Sequence, residues 1–227
     1  MKVSGSHFVI LVLYVDDILL VANDMGMLHD VRKFLLKNFE MKDMGGASYV
    51  IGIEIFRNRS QELLGLSQKG YINKVLERFR MENCSAGVVP TSEVGSLMYG
   101  QTCTRPDIIF VVGMLGRYQY NLDHWKAAKK VLRYLQGTKD HMLMYIRSDY
   151  LEVIGYTDSD YAGCVDTRKS TFGYLFLLAG GAVSWKSGKQ YIIASSTMEA
   201  GFVACFGDTV HGLSLRNFIS DLGLSTV

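Results

Sequence analysis

Residues 8–22 read Phe8-Val9-Ile10-Leu11-Val12-Leu13-Tyr14-Val15-Asp16-Asp17-Ile18-Leu19-Leu20-Val21-Ala22. Two apolar runs rich in strand-forming residues flank an adjacent pair of aspartates, and this pattern predicts a β-hairpin. If both arms are buried, Asp16 and Asp17 lie at its tip. Neighbouring carboxylates repel each other, and a divalent cation relieves that repulsion. The stretch therefore predicts either a metal-binding tip or an ordinary turn, where aspartate is favoured for its local hydrogen bonds.

The composition is that of a folded chain rather than a disordered one. The sequence has 227 residues, of which 48% are hydrophobic and 20% are charged. This length allows one large domain or two small ones. The net charge is +2, from 24 Lys and Arg against 22 Asp and Glu. Such a balance neither demands nor excludes a nucleic-acid partner.

The cysteines and the N-terminus bear on location. Cys84, Cys103, Cys164 and Cys205 lie far apart in the sequence. They favour neither a zinc site nor a disulfide framework, so an intracellular, reducing compartment is expected, with cytoplasm and nucleus undistinguished. The apolar run 8–15 is too short to span a bilayer, and no signal-peptide cleavage site precedes the aspartates. No membrane partner is expected.

Apolar spacing predicts a mixture of helices and strands up to residue 138. A helix is predicted after Asp24 with Leu28, Val31, Leu35 and Phe39 inward, followed by strands Tyr49–Phe56 and Leu63–Leu66. A second helix, capped by Ser67, is predicted with Ile72, Val75, Leu76 and Phe79 inward. A third is expected from Thr104 to about Tyr120, and a fourth from Asp123 to about Gly137 with Trp125, Ala128, Leu132 and Leu135 on one side. Cys84 to Ser92 is expected to be a loop.

From His141 the pattern is mainly that of strands. They are expected at Leu143–Arg147, Leu151–Asp158, Phe172–Leu178 and Ala182–Lys186, with Gly180-Gly181 as a two-residue turn. Ser196 is expected to open a long helix that directs Val203, Phe206, Val210 and Leu213 inward.

A second set of acidic residues lies in this region. Asp158 and Asp160 end a predicted strand, and Glu199 lies near the start of the long helix. If that helix covers the sheet, Asp158 and Glu199 come together within reach of one metal ion. Ser196 and Glu199 also fit a capping box, with serine at the cap and glutamate three residues later. Asp160 alternatively stabilises a turn.

Tyr14-Val15-Asp16-Asp17 between apolar strands resembles the active-site hairpin of reverse transcriptases, in the form used by copia-type retrotransposons. Further motifs that carry the resemblance are Leu66-Ser67-Gln68-Lys69-Gly70-Tyr71-Ile72, Thr104-Arg105-Pro106-Asp107-Ile108, Thr157-Asp158-Ser159-Asp160-Tyr161-Ala162-Gly163, Arg168-Lys169-Ser170-Thr171, Val183-Ser184-Trp185-Lys186 and Ala194-Ser195-Ser196-Thr197-Met198-Glu199-Ala200.

The resemblance implies an α+β fold in three parts. Residues 1–79 are similar to part of a reverse-transcriptase palm and thumb, and 80–138 to a helical connection. Residues 139–227 are similar to a truncated ribonuclease H-like domain, with a mixed sheet covered by a helix.

The resemblance also implies a function. The family is an RNA-directed DNA polymerase and ribonuclease H that carries out metal-dependent phosphoryl transfer. Asp16, Asp17, Asp158 and Glu199 are the implied catalytic residues and the implied ligands of Mg²⁺ or Mn²⁺. The implied partner is an RNA/DNA template-primer or hybrid.

Departures from the family pattern bear on activity. The family carries a third metal-binding aspartate upstream of the hairpin and further aspartates after the first helix of the ribonuclease H domain. The sequence lacks both, and Gly201 replaces an acid that the family usually carries. We therefore expect an inactive fragment. The alternative is a non-catalytic module that binds nucleic acid or protein.

Truncation also predicts self-association. Strands Phe8–Tyr14 and Leu151–Asp158 are interior strands in the family, and here each is expected at a sheet edge. Unpaired backbone groups along an edge invite pairing with another chain.

Overall fold

The computed structural model describes residues 2–4, 7–79, 81, 91–117 and 122–223. Within them the chain forms a mixed α+β fold of small antiparallel sheets and helices. The strands are β1 (Lys2–Ser4), β2 (His7–Tyr14), β3 (Asp17–Ala22), β4 (Tyr49–Val50), β5 (Ile53–Asn58), β6 (Leu63–Ser67), β7 (Leu143–Ile146), β8 (Ile154–Ser159), β9 (Thr171–Leu178) and β10 (Gly181–Lys189). The α-helices are α1 (Met25–Asn38), α2 (Lys69–Arg78), α3 (Thr91–Cys103), α4 (Ile109–Leu115), α5 (Leu122–Gly137) and α6 (Thr197–Asp221).

The first sheet has the order β1-β2-β3 and contains the predicted hairpin. Helix α1 follows it, and the Asp24 side chain caps α1 by accepting a hydrogen bond from the Met27 N–H at 2.7 Å. Strand β1 pairs with the first residues of β2, with Lys2 opposite Val9. The expectation that Phe8–Tyr14 forms a sheet edge is therefore wrong at its start, since β1 occupies that edge.

The second sheet has the order β4-β5-β6-β7. The single strand predicted over Tyr49–Phe56 is instead two strands joined by a turn at Ile51-Gly52, where both residues have positive φ (42° and 75°). Glycine adopts positive φ without a steric penalty, and it lets the chain reverse inside an otherwise strand-like run.

Strand β7 joins two parts of the sequence that were expected to be separate. Leu143 of β7 pairs with Leu66 of β6, across the boundary predicted at residue 139. The same strand reaches the third sheet, because the Tyr145 hydroxyl donates to the Ala182 carbonyl at 2.7 Å. Strand β7 therefore links the first and last thirds of the chain.

The main apolar core lies among the helices in the middle of the chain. Its buried members are Ile72, Val75, Phe79, Met81, Leu97, Ile108, Val112, Leu115, Ala128, Val131, Leu132 and Leu135. The predicted inner faces of α2 and α5 are confirmed by this cluster. Tyr71 adds a polar link, because its hydroxyl donates to the Ser96 carbonyl at 3.0 Å.

The helix predicted from Thr104 differs in the structure. Thr104 does not cap it, because its buried hydroxyl donates to Gln68 Oε1 at 2.8 Å. A 3₁₀ turn at Pro106–Ile108 precedes the short α4, and the predicted end near Tyr120 lies outside the described residues. Helix α3 was not predicted, since its sequence has no clear apolar periodicity. Most of the loop predicted at Cys84–Ser92 also lies outside the described residues.

The third sheet has the order β10-β9-β8, and α6 packs on it. Every pairing is antiparallel, whereas the resemblance implied a mixed sheet. The turn before β10 is Ala179-Gly180, one residue earlier than expected, since Leu178 pairs with Gly181. Strand β8 lies at the edge of the described sheet, as expected for Leu151–Asp158.

Helix α6 begins after the Ser196 cap, as predicted, but turns the opposite face to the sheet. Ala200, Ala204 and Ile219 are buried. Of the side chains predicted inward, Phe206, Val210 and Leu213 are exposed, whereas Val203 is half-buried and lines a cavity next to the sheet. The reason lies in the sheet. The Phe176 ring on β9 fills the space beside Gly155 and Gly212, where an added Cβ would come within 2.6 and 2.9 Å of the ring. Gly212 lies on the packed side of α6, and its lack of a side chain lets the helix approach the ring closely.

Candidate carboxylate sites

The hairpin presents both aspartates to solvent. Tyr14 pairs directly with Asp17, so Val15 and Asp16 form a two-residue turn and Asp17 begins β3. Asp16 and Asp17 are exposed. Val15 has a φ of +50°, a conformation that is strained for a β-branched residue. The structure therefore agrees with the tip position predicted for this pair.

The arms of the hairpin are less buried than predicted. Phe8 and Val9 are buried, but further along β2 the side chains are exposed, and Leu13 is 65% exposed. The hairpin therefore extends away from the packed part of the described chain. Burial of its base by the neighbouring strand and helix suffices to place the aspartates at the tip.

Asp158 and Asp160 lie at the end of β8 with different partners. Asp158 is exposed and accepts a hydrogen bond from the Ser159 N–H at 2.8 Å. Asp160 accepts from the Gly163 N–H at 3.1 Å and the Thr171 N–H at 2.8 Å. The turn-stabilising alternative for Asp160 is confirmed by these two bonds, which close the loop between β8 and β9.

Glu199 is bound to the N-terminus of its own helix. Its Oε2 accepts from both the N–H and the hydroxyl of Ser195, each at 2.6 Å. The Ser196 hydroxyl accepts in turn from the Glu199 N–H at 3.1 Å. The Ser195 hydroxyl, followed by the Ser195 N–H, lowers the pKa of Glu199 below its ordinary value. These contacts support the capping alternative, and the predicted role of Glu199 as a metal ligand remains a prediction.

The donor atoms of both carboxylate sets suit Mg²⁺ or Mn²⁺, which prefer oxygen ligands. Within the described residues, however, no group of three or more His, Cys, Asp or Glu side chains converges on a possible metal position. Asp16 and Asp17 offer two neighbouring carboxylates, and Asp158 and Glu199 offer one each. A complete carboxylate cage is therefore not formed by the described part of the chain.

A polar cluster between α6 and the sheet was missed by the sequence analysis. Asp208 is only 5% exposed and accepts a hydrogen bond from the Thr157 hydroxyl. His211 Nε2 shares a hydrogen bond with the Ser184 hydroxyl at 2.8 Å. A cavity of about 260 Å³ adjoins both helix residues and is also lined by Lys186.

The pKa of Asp208 is raised, because burial opposes its ionisation more than Thr157, His211 and Lys186 favour it. The sequence carried one sign of this cluster. Ala200, Ala204, Asp208 and His211 recur at spacings of four and three, which places them on one face of the helix.

Known proteins similar to this chain match both the hairpin and the elements that follow it. The family model for reverse transcriptase (RNA-dependent DNA polymerase) matches residues 1–93. The chain is 41% identical over 252 residues to the Retrovirus-related Pol polyprotein from transposon TNT 1-94 of Nicotiana tabacum, which covers 98% of the chain and 19% of that protein. It is 31% identical over 243 residues to the Retrovirus-related Pol polyprotein from transposon RE2 of Arabidopsis thaliana, covering 97% of the chain and 16% of that protein.

A shorter relative matches along most of its length. The chain is 33% identical over 216 residues to an uncharacterized mitochondrial protein of Arabidopsis thaliana, covering 86% of the chain and 89% of that protein. The chain belongs to the family of copia-type retrotransposon Pol polyproteins, which contain a reverse transcriptase domain. It spans less than a fifth of the two polyproteins named above.

No solved structure matches the chain. Within the described residues, no helix combines the length and apolar character needed to cross a membrane.

Proposed function

We propose that the chain is a segment of a copia-type Pol polyprotein that includes the end of the reverse transcriptase, the connection and part of the ribonuclease H domain. The proposed divisions are 1–79, 80–138 and 139–227. The observation that carries this proposal is the hairpin with Asp16 and Asp17 at its tip, inside the region matched by the reverse-transcriptase family. The match to the tobacco polyprotein over 98% of the chain supports the proposal that the chain is a segment of such a polyprotein.

The activity of the family is metal-dependent phosphoryl transfer on an RNA/DNA template-primer or hybrid. A divalent ion, when bound, would stabilise the charge that develops on the transferred phosphoryl group. We assign Asp16 and Asp17 as ligands in the polymerase part, and Asp158 and Glu199 as ligands in the ribonuclease H part. Their exposed or solvent-edge positions allow access for a nucleic acid.

We further propose that the isolated chain is inactive. Two-metal phosphoryl transfer needs several carboxylates on a rigid support. The described residues bring at most two together at the hairpin, and no larger cluster forms among them. In the last third, Glu199 would have to give up its bonds to Ser195 to bind an ion. Each set alone leaves most of the coordination sphere to water.

The experiment is a pair of assays on the purified chain. An annealed RNA–DNA primer-template with nucleotides and Mg²⁺ or Mn²⁺ tests extension, and a labelled RNA–DNA hybrid tests cleavage. We expect neither product above background. Extension that is lost in Asp16→Asn but kept in the exposed control Asp149→Asn would overturn the inactive assignment and establish the polymerase. Cleavage lost in Asp158→Asn would do the same for the nuclease.

Nucleic-acid binding by this chain is proposed to be weak and sensitive to salt. The net charge of +2 offers few uncompensated contacts to phosphate. A fluorescence titration with the hybrid at rising salt measures this. Tight binding that persists at physiological salt would favour the alternative function, a non-catalytic nucleic-acid-binding module.

A further inference from the structure

Gln190 directly follows β10, and its side chain lies between the end of β8 and the start of α6. The residue is only 2% exposed. Its Nε2 donates to the Ser159 hydroxyl oxygen at 3.1 Å and to the Ala200 carbonyl at 2.7 Å. Its backbone N–H donates to the Ser170 carbonyl at 2.8 Å, next to the start of β9. One buried amide therefore joins the third sheet to the first turn of the helix.

The neighbouring bonds fix the orientation of this amide. The Ala200 carbonyl only accepts, so it takes the amide nitrogen. The Ser159 hydroxyl donates elsewhere, to the carbonyl of Asp160 or Thr171, so it accepts from the same nitrogen. Gln190 Oε1 is left without a hydrogen-bond partner among the described residues. A buried acceptor without a partner costs free energy, and an unbranched apolar side chain such as methionine would avoid that cost. Stability alone therefore does not account for a glutamine at this position.

The start of α6 has a second attachment, which is the Glu199 carboxylate. It accepts from the N–H and the hydroxyl of Ser195 at the exposed surface. These bonds are lost if the carboxylate binds a divalent ion, as proposed above. The Tyr161 hydroxyl also donates to the Ser195 carbonyl, at 3.1 Å, but this bond lies before the helix. The Gln190 bonds use no atom of Glu199, since they end on the Ala200 carbonyl. They therefore still hold the first turn on β8 after Glu199 has left Ser195.

We propose that Gln190 is a positioning residue for Glu199: its buried amide keeps the first turn of α6 on β8 while the Glu199 carboxylate exchanges Ser195 for a divalent ion. The inference rests on the proposed role of Glu199 as an ion ligand. Gln190 acts through the backbone beside Glu199 and does not bind the ion itself. Because the backbone stays in place, only the Glu199 side chain has to reorient. If the first turn also had to open, the ion would bind more weakly by the free energy of that opening.

The test is amide hydrogen exchange of the purified chain, followed by NMR with Mg²⁺ and with KCl of equal ionic strength. In the wild type, Mg²⁺ should speed exchange of the Ser195 N–H, which loses its Glu199 acceptor. The Ala200 N–H, which donates to the Ser196 carbonyl and reports opening of the first turn, should be unaffected. In Gln190→Met, Mg²⁺ should speed both, and the Ala200 N–H by about tenfold, the effect of losing about one net hydrogen bond.

Two further variants support this comparison. Gln101→Met is the matched control, because it removes another buried glutamine side chain, on α3, and should behave as the wild type at both amides. Ser159→Ala removes the bond between the Gln190 amide and β8, and it should act as Gln190→Met does, with a smaller effect. It carries the same test if Gln190→Met does not fold. The urea midpoint of Gln190→Met should stay near that of the wild type, because the variant also removes the unpartnered Oε1.

The outcomes separate this proposal from the function on which it rests. If Mg²⁺ leaves the Ser195 N–H of the wild type unchanged, Glu199 is not an ion ligand, and the positioning role is rejected with it. If Mg²⁺ acts on Ser195 in both proteins but never on Ala200, only the positioning role is rejected. Faster exchange of Ala200 in Gln190→Met that is the same with and without Mg²⁺ would make Gln190 a purely structural residue and would also overturn the proposal.

Discussion

The Glu199 carboxylate accepts two hydrogen bonds from Ser195, both at 2.6 Å, one from the backbone and one from the hydroxyl. This pair fixes the entry of the chain into α6, because the Ser196 cap and the Glu199 side chain together satisfy donors at the start of the helix. The same carboxylate is the proposed metal ligand, and the two roles compete for it.

Glu199→Gln is expected to lower the melting temperature at neutral pH, since a neutral amide accepts more weakly than a carboxylate. The pKa of Glu199 is lowered by Ser195. Its stabilising contribution is therefore present above the unfolded value, about 4.3, and is lost as the pH falls through the folded value. Thermal unfolding between pH 3 and pH 7, compared with Glu152→Gln as an exposed control, measures this. Equal acid sensitivity in both variants would contradict it.

Arg105 is the largest charged side chain buried in the core region, at 2% exposed. Its guanidinium donates to both carboxylate oxygens of Asp107, at 3.0 and 2.7 Å, and also to the hydroxyl and carbonyl of Thr138. Partial burial opposes ionisation of Asp107, but hydrogen bonds from Arg105 and Tyr134 outweigh it and lower the pKa of Asp107. The network ties the end of α5 to the turn before α4.

Arg105→Met is expected to cost about 3 kcal/mol of unfolding free energy, because it removes the positive charge that pairs with a partly buried carboxylate and leaves Asp107 with only its hydrogen bond from Tyr134. Arg105→Lys should lose less but not recover the wild-type value, since an ammonium cannot donate to both oxygens in the same planar geometry. Urea unfolding measures both. Arg133→Met on the exposed side of α5 is the control, and an equal loss there would show that the effect is not specific to the pair.

The contribution of Asp208 to stability is expected to change with pH in the opposite direction to that of Glu199. Burial raises its pKa above the ordinary value, so the folded state holds a proton that the unfolded state releases. Its contribution is then most favourable below the unfolded pKa of about 3.9 and declines as the pH rises through the folded value.

Asp208→Asn keeps an acceptor for the Thr157 hydroxyl and removes the titration. It should be at least as stable as the wild type at pH 7, with a flatter profile in acid. Urea unfolding from pH 4 to pH 8 compares the stability of the two proteins. Both keep His211, so a difference between their pH profiles arises from position 208. A variant that is less stable than the wild type at pH 7, with an unchanged slope, would rule this account out.

Val15 stores strain at the hairpin turn. Its φ of +50° costs a β-branched residue about 1 kcal/mol, whereas asparagine tolerates this region. Val15→Asn is expected to stabilise the hairpin by up to about 1 kcal/mol. Hydrogen exchange along β2 and β3 measures it locally. Val12→Asn, in the extended part of β2, is the control and should not slow exchange; slower exchange there as well would remove turn strain as the cause.

Features set by neighbouring residues were predictable from sequence. The hairpin around Asp16 and Asp17 was predicted because apolar strand formers flank the aspartates. The inner faces of α2 and α5 were predicted because the apolar residues of each helix recur on a single face. The Ser196 cap followed from the same local chemistry. Each of these depends on interactions within a few positions along the chain.

The tertiary structure determined two features that the local sequence pattern did not: which face of α6 is buried, and which distant strands pair. Helix α6 is apolar on both faces, so its own sequence does not say which face packs inward. The Phe176 ring on β9, distant in the sequence, accommodates the face that carries Gly212. In this orientation Asp208 is buried and Phe206 lies in solvent. The pairing of β6 with β7, whose paired leucines Leu66 and Leu143 lie more than seventy positions apart, is also long-range. Such choices depend on which distant surfaces fit together, and periodicity along one element does not encode them.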